Sequence, residues 1–81
     1  MNISIIGTGY VGLVSGACLA EFGMNVTCID NNSEKIKNLN DGIIPIYEPG
    51  LEDLVKKNIN EKRIKFVTNL SDGIKNSEAI F

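Results

Sequence analysis

The stretch Ile3-Ser4-Ile5-Ile6-Gly7-Thr8-Gly9-Tyr10-Val11-Gly12 decides how the chain folds. A β-branched apolar run feeds directly into Gly-x-Gly-x-x-Gly, and a helical pattern starts at once. Gly7 permits the tight turn off the strand. Gly9 allows the backbone to come close to a pyrophosphate, and Gly12 lets the next helix lie on the strand with no Cβ between them. The helix opens at the loop, so its unpaired N–H groups and the positive end of its dipole face an anion held there.

Glycine-rich turns are common, and it is the surroundings that give this one meaning. Beyond the first helix comes a second β-type run, Asn25-Val26-Thr27-Cys28-Ile29, ending on Asp30. That carboxylate stands about 20 residues beyond the glycine turn, the spacing of the acid that holds an adenosine ribose. Strand, glycine turn, helix, strand and acid follow in the order a dinucleotide site requires.

The first strand is expected over Asn2 to Ile6, nearly continuous in apolar residues as in a parallel strand covered on both faces. The first helix is expected from Tyr10 to Phe22, with Val11, Val14, Cys18, Leu19 and Phe22 as its sheet-facing stripe. Gly16, one turn beyond Gly12, reads as another point of close contact, and Gly23 as the helix stop. Thirteen helical residues reach about 20 Å, enough to carry the chain back to a parallel neighbour through a right-handed crossover. Ser33 is the expected cap of a second helix to Asn40, with Ile36 and Leu39 inward.

Lys35 lies on the first turn of that helix, where its side chain can reach back toward a ribose. A solvated helix lysine explains the same residue, and on the residues alone it is the simpler account. Tyr10 is open in the same way: a backbone N–H for the ligand, or a ring that shields the loop.

Asp41-Gly42 breaks the second helix, and an extended connection to Gly50 holds both prolines. Pro49 suits the first turn of a third helix, with Glu48 before it adding favourable charge. Leu51, Leu54, Val55 and Ile59 give this helix an apolar face, while Lys56, Lys57, Lys62 and Arg63 complement its C-terminal end and read as solvated. Ile64-Lys65-Phe66-Val67 alternates like a strand near a sheet edge. Ser71 is the expected cap of a short turn of helix to Lys75, and Ala79-Ile80-Phe81 opens a fourth apolar run. The expected fold is α/β: a Rossmann-like, doubly wound parallel sheet, truncated in its fourth strand. Residues 1–81 then form the front portion of a longer protein.

Eighty-one residues with 43% hydrophobic, 22% charged and a net charge of −2 suit a globular domain of thin stability. There is no basic excess to neutralise phosphates in number, so nucleic acid is not an expected partner. No apolar run approaches a membrane span, and the N-terminus lacks a signal-peptide pattern, so a cytoplasmic protein is expected. The Asn-x-Ser/Thr triplets at Asn2, Asn25, Asn31 and Asn69 read as chance. Cys18 and Cys28 match no metal or redox spacing and read as small buried hydrophobes. With no histidine in the chain, acid–base chemistry would fall to Lys, Tyr or a carboxylate, and no acidic pair stands out.

Pro45-Ile46-Tyr47-Glu48-Pro49-Gly50-Leu51 adds a more specific signal, since a generic dinucleotide fold has no need of it. Together with Gly7-Thr8-Gly9-Tyr10-Val11-Gly12-Leu13 and with Asp30 followed by Lys35-Ile36, it resembles the N-terminus of the UDP-glucose/GDP-mannose dehydrogenase family. The resemblance covers essentially all 81 residues. It implies an NAD-binding domain, followed in the family by a central helical domain and a nucleotide-sugar domain. Such enzymes oxidise a sugar C6 alcohol to a carboxylate, as from UDP-glucose to UDP-glucuronate, with two hydride transfers to two NAD. A cysteine holds the intermediate as thiohemiacetal and thioester, assisted by a lysine, an asparagine and an aspartate. None of these catalytic positions falls within Met1–Phe81, and Cys18 and Cys28 do not stand in for them.

The resemblance also implies that Gly7, Thr8, Gly9, Tyr10, Val11 and Gly12 carry the pyrophosphate loop, and that Asp30 and Lys35 contact the adenosine ribose. It gives Tyr47 and Glu48 no chemical role. The cofactor is then NAD rather than NADP, because a carboxylate at 30 repels a 2′-phosphate and no arginine follows it. The nucleotide sugar would bind only through later domains. Two other functions share parts of the pattern: an S-adenosylmethionine-dependent methyltransferase, and a nucleotide-binding fragment without turnover. The third glycine and the Glu-Pro-Gly-Leu segment favour the dehydrogenase. A truncated fourth strand exposes a sheet edge and apolar surface, so self-association in isolation is expected.

Overall fold

The computed structural model of the chain describes residues 1–45 and 48–81. Along the chain run β1 (Asn2–Ile6), α1 (Tyr10–Glu21), β2 (Asn25–Ile29), α2 (Ser33–Asn40), α3 (Leu51–Asn60), β3 (Ile64–Val67), α4 (Leu70–Ile74) and β4 (Ala79–Ile80). The strands form one parallel sheet in the order β3-β2-β1-β4. The chain thus moves outward from β1 to β3 and then returns to the other side of β1. That reversal is the topological switch at which open α/β sheets bind ligands, outside the carboxyl ends of the strands. β1 and β2 pair in step, from Asn2 with Asn25 to Ile6 with Ile29, so their tips end level.

Alternation divides the sheet into two faces. Ile3, Ile5, Val26, Cys28, Ile64 and Phe66 are all buried and form the core with Leu13, Ala17 and Ala20 of α1 and Leu51 and Val55 of α3. On the opposite face α4 is the cover. The Ser4 hydroxyl, fully buried there, donates to the Gly73 carbonyl at 2.6 Å and also meets the Ser77 hydroxyl. Ile29 and Val67 fill the space beside Gly73.

The sheet-facing side of α1 differs from the expected stripe. Val11 is 74% exposed, Phe22 84%, and Cys18 is exposed as well, while Leu13, Gly16, Ala17 and Ala20 are buried. The physical reason is distance. A Cβ on Gly16 would lie 2.9 Å from the Cys28 sulfur, and one on Gly12 would collide with the Gly7 carbonyl oxygen. The helix sits so low on the sheet that its smallest residues must face inward, and its larger apolar side chains turn out. Gly16 is thus the close-contact point its spacing suggested. The burial expected of Cys18 fails, and Cys28 alone is the buried cysteine, its thiol pushed up to about 12 by desolvation.

Three caps also differ. Asn32, not Ser33, caps α2, its side-chain oxygen accepting from the Lys35 amide at 3.0 Å. Asn69, not Ser71, caps α4 by the same bond to Asp72. Pro49 precedes the α3 cap, Gly50, and so stands outside the helix. The expected role of Glu48 as a charge at that helix end gives way to a hydrogen bond from the Tyr10 hydroxyl at 3.0 Å. Ile36 and Leu39 face inward as expected, and β3 lies at a sheet edge. The basic cluster after α3 is only partly solvated: Lys57 and Arg63 both pair with Glu21 of α1, and Arg63 also with Glu61 and Asn58. Tyr47 and Ile46 of the proline-rich connection lie outside the described residues.

Candidate dinucleotide site

The site forms where β1 and β2 end side by side. Gly7, at φ +95°, turns the chain off β1, and its amide donates to the Ile29 carbonyl at 2.7 Å. A residue with a Cβ is strained at that angle. Gly9 then caps α1 in an extended conformation, with open space where a Cβ would be. No side chain caps this helix end, and its first turn holds no acid. By contrast α2, α3 and α4 each carry an acidic residue in the first turn. The positive end of the α1 dipole is therefore not offset by a carboxylate within its own first turn.

Asp30 leaves the tip of β2, its amide donating to the Val67 carbonyl at 3.1 Å. Its carboxylate is bound on both oxygens. Oδ2 accepts from the Thr8 amide at 3.1 Å and the Thr8 hydroxyl at 2.7 Å, and Oδ1 accepts from the Asn32 amide at 3.0 Å. The Lys35 ammonium lies 3.8 Å from Oδ2. The Asn32 amide first, then the Thr8 hydroxyl, hold the Asp30 carboxyl below the usual carboxylate range. The acid is charged near neutral pH and fixed against the glycine loop.

Glycine loop, acid and lysine are thus brought into one constellation: Thr8, Asp30 and Lys35 touch directly, and Gly7 to Gly12 form the turn beside them. Gly12 serves the helix–strand contact and Val11 presents its side chain to solvent. The Tyr10 ring is exposed and tethered through its hydroxyl to Glu48, which raises its pKa above the ordinary 10.0. Next to Asp30 an open cleft of about 430 Å³ is lined by Ile6, Gly7, Ile29, Asn31, Thr68 and Leu70. Reading the sequence did not single out Asn31, Thr68 or Leu70. Their signal lay in position alone, just past the tips of β2 and β3. A second cleft, about 280 Å³, opens among Asn2, Asn25, Lys62 and Lys65, toward the strand starts and away from this site.

The family model described as UDP-glucose/GDP-mannose dehydrogenase family, NAD binding domain, matches residues 1–81. The chain belongs to the UDP-glucose/GDP-mannose dehydrogenase family. Its part of that family is the NAD-binding domain, and NAD is the cofactor. It is 52% identical over 80 residues to UDP-glucose 6-dehydrogenase TuaD of Bacillus subtilis, covering 99% of this chain and 17% of that protein. Against the UDP-glucose 6-dehydrogenase of Rhizobium meliloti the figures are 47% over 81 residues, 100% and 18%. Among solved structures, a ternary complex of GDP-mannose dehydrogenase from Pseudomonas aeruginosa superposes with a TM-score of 0.95 at 40% identity, covering 100% of this chain and 19% of that one. A UDP-glucose dehydrogenase from Pyrobaculum islandicum gives 0.92 at 31%, over 99% and 18%. The chain spans less than a fifth of the length of these relatives. Membership of a dehydrogenase family sets the methyltransferase alternative aside. Among the described residues no helix is long and apolar enough to cross a membrane, and no three His, Cys, Asp or Glu cluster to hold a metal.

Proposed function

We propose that this domain supplies the NAD site of an enzyme that oxidises the C6 alcohol of UDP-glucose to the carboxylate of UDP-glucuronate. One observation carries the reading: the Asp30 carboxylate is hydrogen-bonded to Thr8 of the glycine loop, so the ribose-binding acid and the anion-binding helix end share one cleft. In this assignment Gly7, Thr8, Gly9 and Gly12 shape the loop, and the amides of Tyr10 and Val11 at the α1 N-terminus face the pyrophosphate. Asp30 accepts from the adenosine ribose, and Lys35 flanks it. NAD, when bound, accepts hydride; this chain's residues bind and orient its adenosine diphosphate half.

UDP-glucose as substrate is supported by the names of the relatives with 47–52% identity. The likeness to a GDP-mannose dehydrogenase fits a domain that reads the dinucleotide and leaves the sugar to other parts of the enzyme. Residues 1–81 alone are then expected to bind NAD without turnover. A cytoplasmic location belongs to the same reading, and cell fractionation tests it. Titration calorimetry tests the cofactor site: saturable NAD binding, not displaced by S-adenosylmethionine, is expected. The full chain is expected to reduce two NAD per UDP-glucose consumed. Absence of NAD binding overturns the site. Binding without UDP-glucose oxidation overturns the substrate alone.

A further inference from the structure

The geometry points to the Thr8 hydroxyl as the group that fixes the preference for an unphosphorylated adenosine ribose. This inference rests on the dinucleotide reading of the site. Asp30 can reject a 2′-phosphate only while its charge stays at the ribose position, and a carboxylate on a short, freely rotating stem can turn away. Here it cannot turn freely. The Thr8 side chain is 1% exposed and comes from the opposite strand tip, so its position is set by the fold and not by the ligand. Its hydroxyl gives Oδ2 the shortest of the three hydrogen bonds on the carboxylate, at 2.7 Å against 3.0 and 3.1 Å.

Lys35 makes that restraint decisive. It is the ion-pair partner of Asp30 among the described residues, 3.8 Å from the oxygen that Thr8 holds, and its side chain remains 32% exposed. With Asp30 in place, the lysine's charge is opposed by a fixed carboxylate. With Asp30 released, the same ammonium stands beside the ribose position and attracts a phosphate. One hydroxyl thus keeps an acid–base pair from presenting its basic member. Thr8 acts through Asp30 and is a positioning residue.

Dissociation constants for NAD and for NADP, measured by calorimetry on the full chain, test this. Thr8→Val keeps shape and the loop amide but removes the hydroxyl. It is expected to weaken NAD roughly tenfold, the scale of one hydrogen bond to a charged group, and to shrink the NAD-over-NADP ratio by a similar factor. Thr8→Ser is expected to restore both to within about twofold, which a purely steric role for Thr8 does not predict. Asp30→Asn serves as the reference that loses the preference. A Thr8→Val protein with the native ratio overturns the inference while leaving the cofactor site intact. If melting by circular dichroism shows that Thr8→Val does not fold, Thr8→Ala is read by the same ratio. A native chain that binds neither dinucleotide overturns the reading of the site and this inference with it.

Discussion

Asp30 concentrates the electrostatics of the domain in one side chain, 16% exposed and bound by two amides and a hydroxyl. Asp30→Ala is expected to weaken NAD binding by about 1.5–3 kcal/mol, roughly tenfold or more, by calorimetry. The same carboxyl has a pKa in the fold below its ordinary 3.8. Its contribution to stability is therefore complete above that value and drains as pH falls through the lower folded pKa. Thermal melts taken down from pH 5 should show Asp30→Asn losing less stability below about pH 3.8 than the native chain. The two thiols make a second contrast at this scale. Cys18 is exposed, whereas Cys28 is buried with its thiol pushed up to about 12. Mass spectrometry after brief alkylation at pH 8 should find Cys18 modified and Cys28 protected until the chain is unfolded. The acid was legible from its spacing, but its bond to Thr8 was not, because nothing in local sequence says that residues on two strand tips will meet.

Elements show where periodicity suffices and where it fails. The bounds of β1, β2 and β3 follow from short apolar runs with clear ends. The inward side of α1 does not, because that helix is apolar around most of its circumference and the stripe rule has several solutions. What selects among them is the spine Gly12-Gly16-Ala20, one small residue per turn, which admits the strands at close range. Caps were ambiguous for a related reason: Asn32 and Ser33, or Asn69 and Ser71, are competing cap formers within one turn. Helices α1, α2 and α3 all end in the same hydrogen-bond pattern, the residue after the cap bonding back to the helix with positive φ. Gly23 and Gly42 hold that position in the first two, but in α3 it is Lys62, at φ 61°. Lys62→Gly removes the Cβ penalty of the left-handed conformation and is expected to stabilise the fold by about 0.5–1 kcal/mol, read as a raised melting temperature. An unchanged or lower melting temperature would show that the lysine stem contributes packing that offsets the strain.

The molecule as a whole has a Cα radius of gyration of 11.1 Å, against about 11.7 Å for a compact domain of this length. Its surface is less complete than its dimensions. β4 contributes two residues to the sheet and lies at its margin, and Ile6, Leu70, Ile80 and Phe81 are all exposed, about half or more of each. Ile6 and Leu70 border the cleft beside Asp30, while Ile80 pairs next to Ser4 at the sheet's end. We expect the isolated chain to self-associate through this side. Sedimentation velocity across a tenfold concentration range should show a mass that rises with concentration, and a monomer throughout would refute the expectation. The sheet order, the parallel pairing and the crossover back to β1 were all readable from alternating strand and helix signals. The polar seam that α4 covers was not, since a buried serine looks like any other serine until its partner is placed.

The level tips of β1 and β2 carry one more consequence. Because side chains alternate along a strand, a single residue gained or lost within Asn25–Ile29 would swing Asp30 to the reverse face and turn Val26 and Cys28 out of the core. Length polymorphism is therefore barred from this strand and diverted into the connections. Anyone grafting a foreign segment into this domain has to make the cuts outside the strand, never within it.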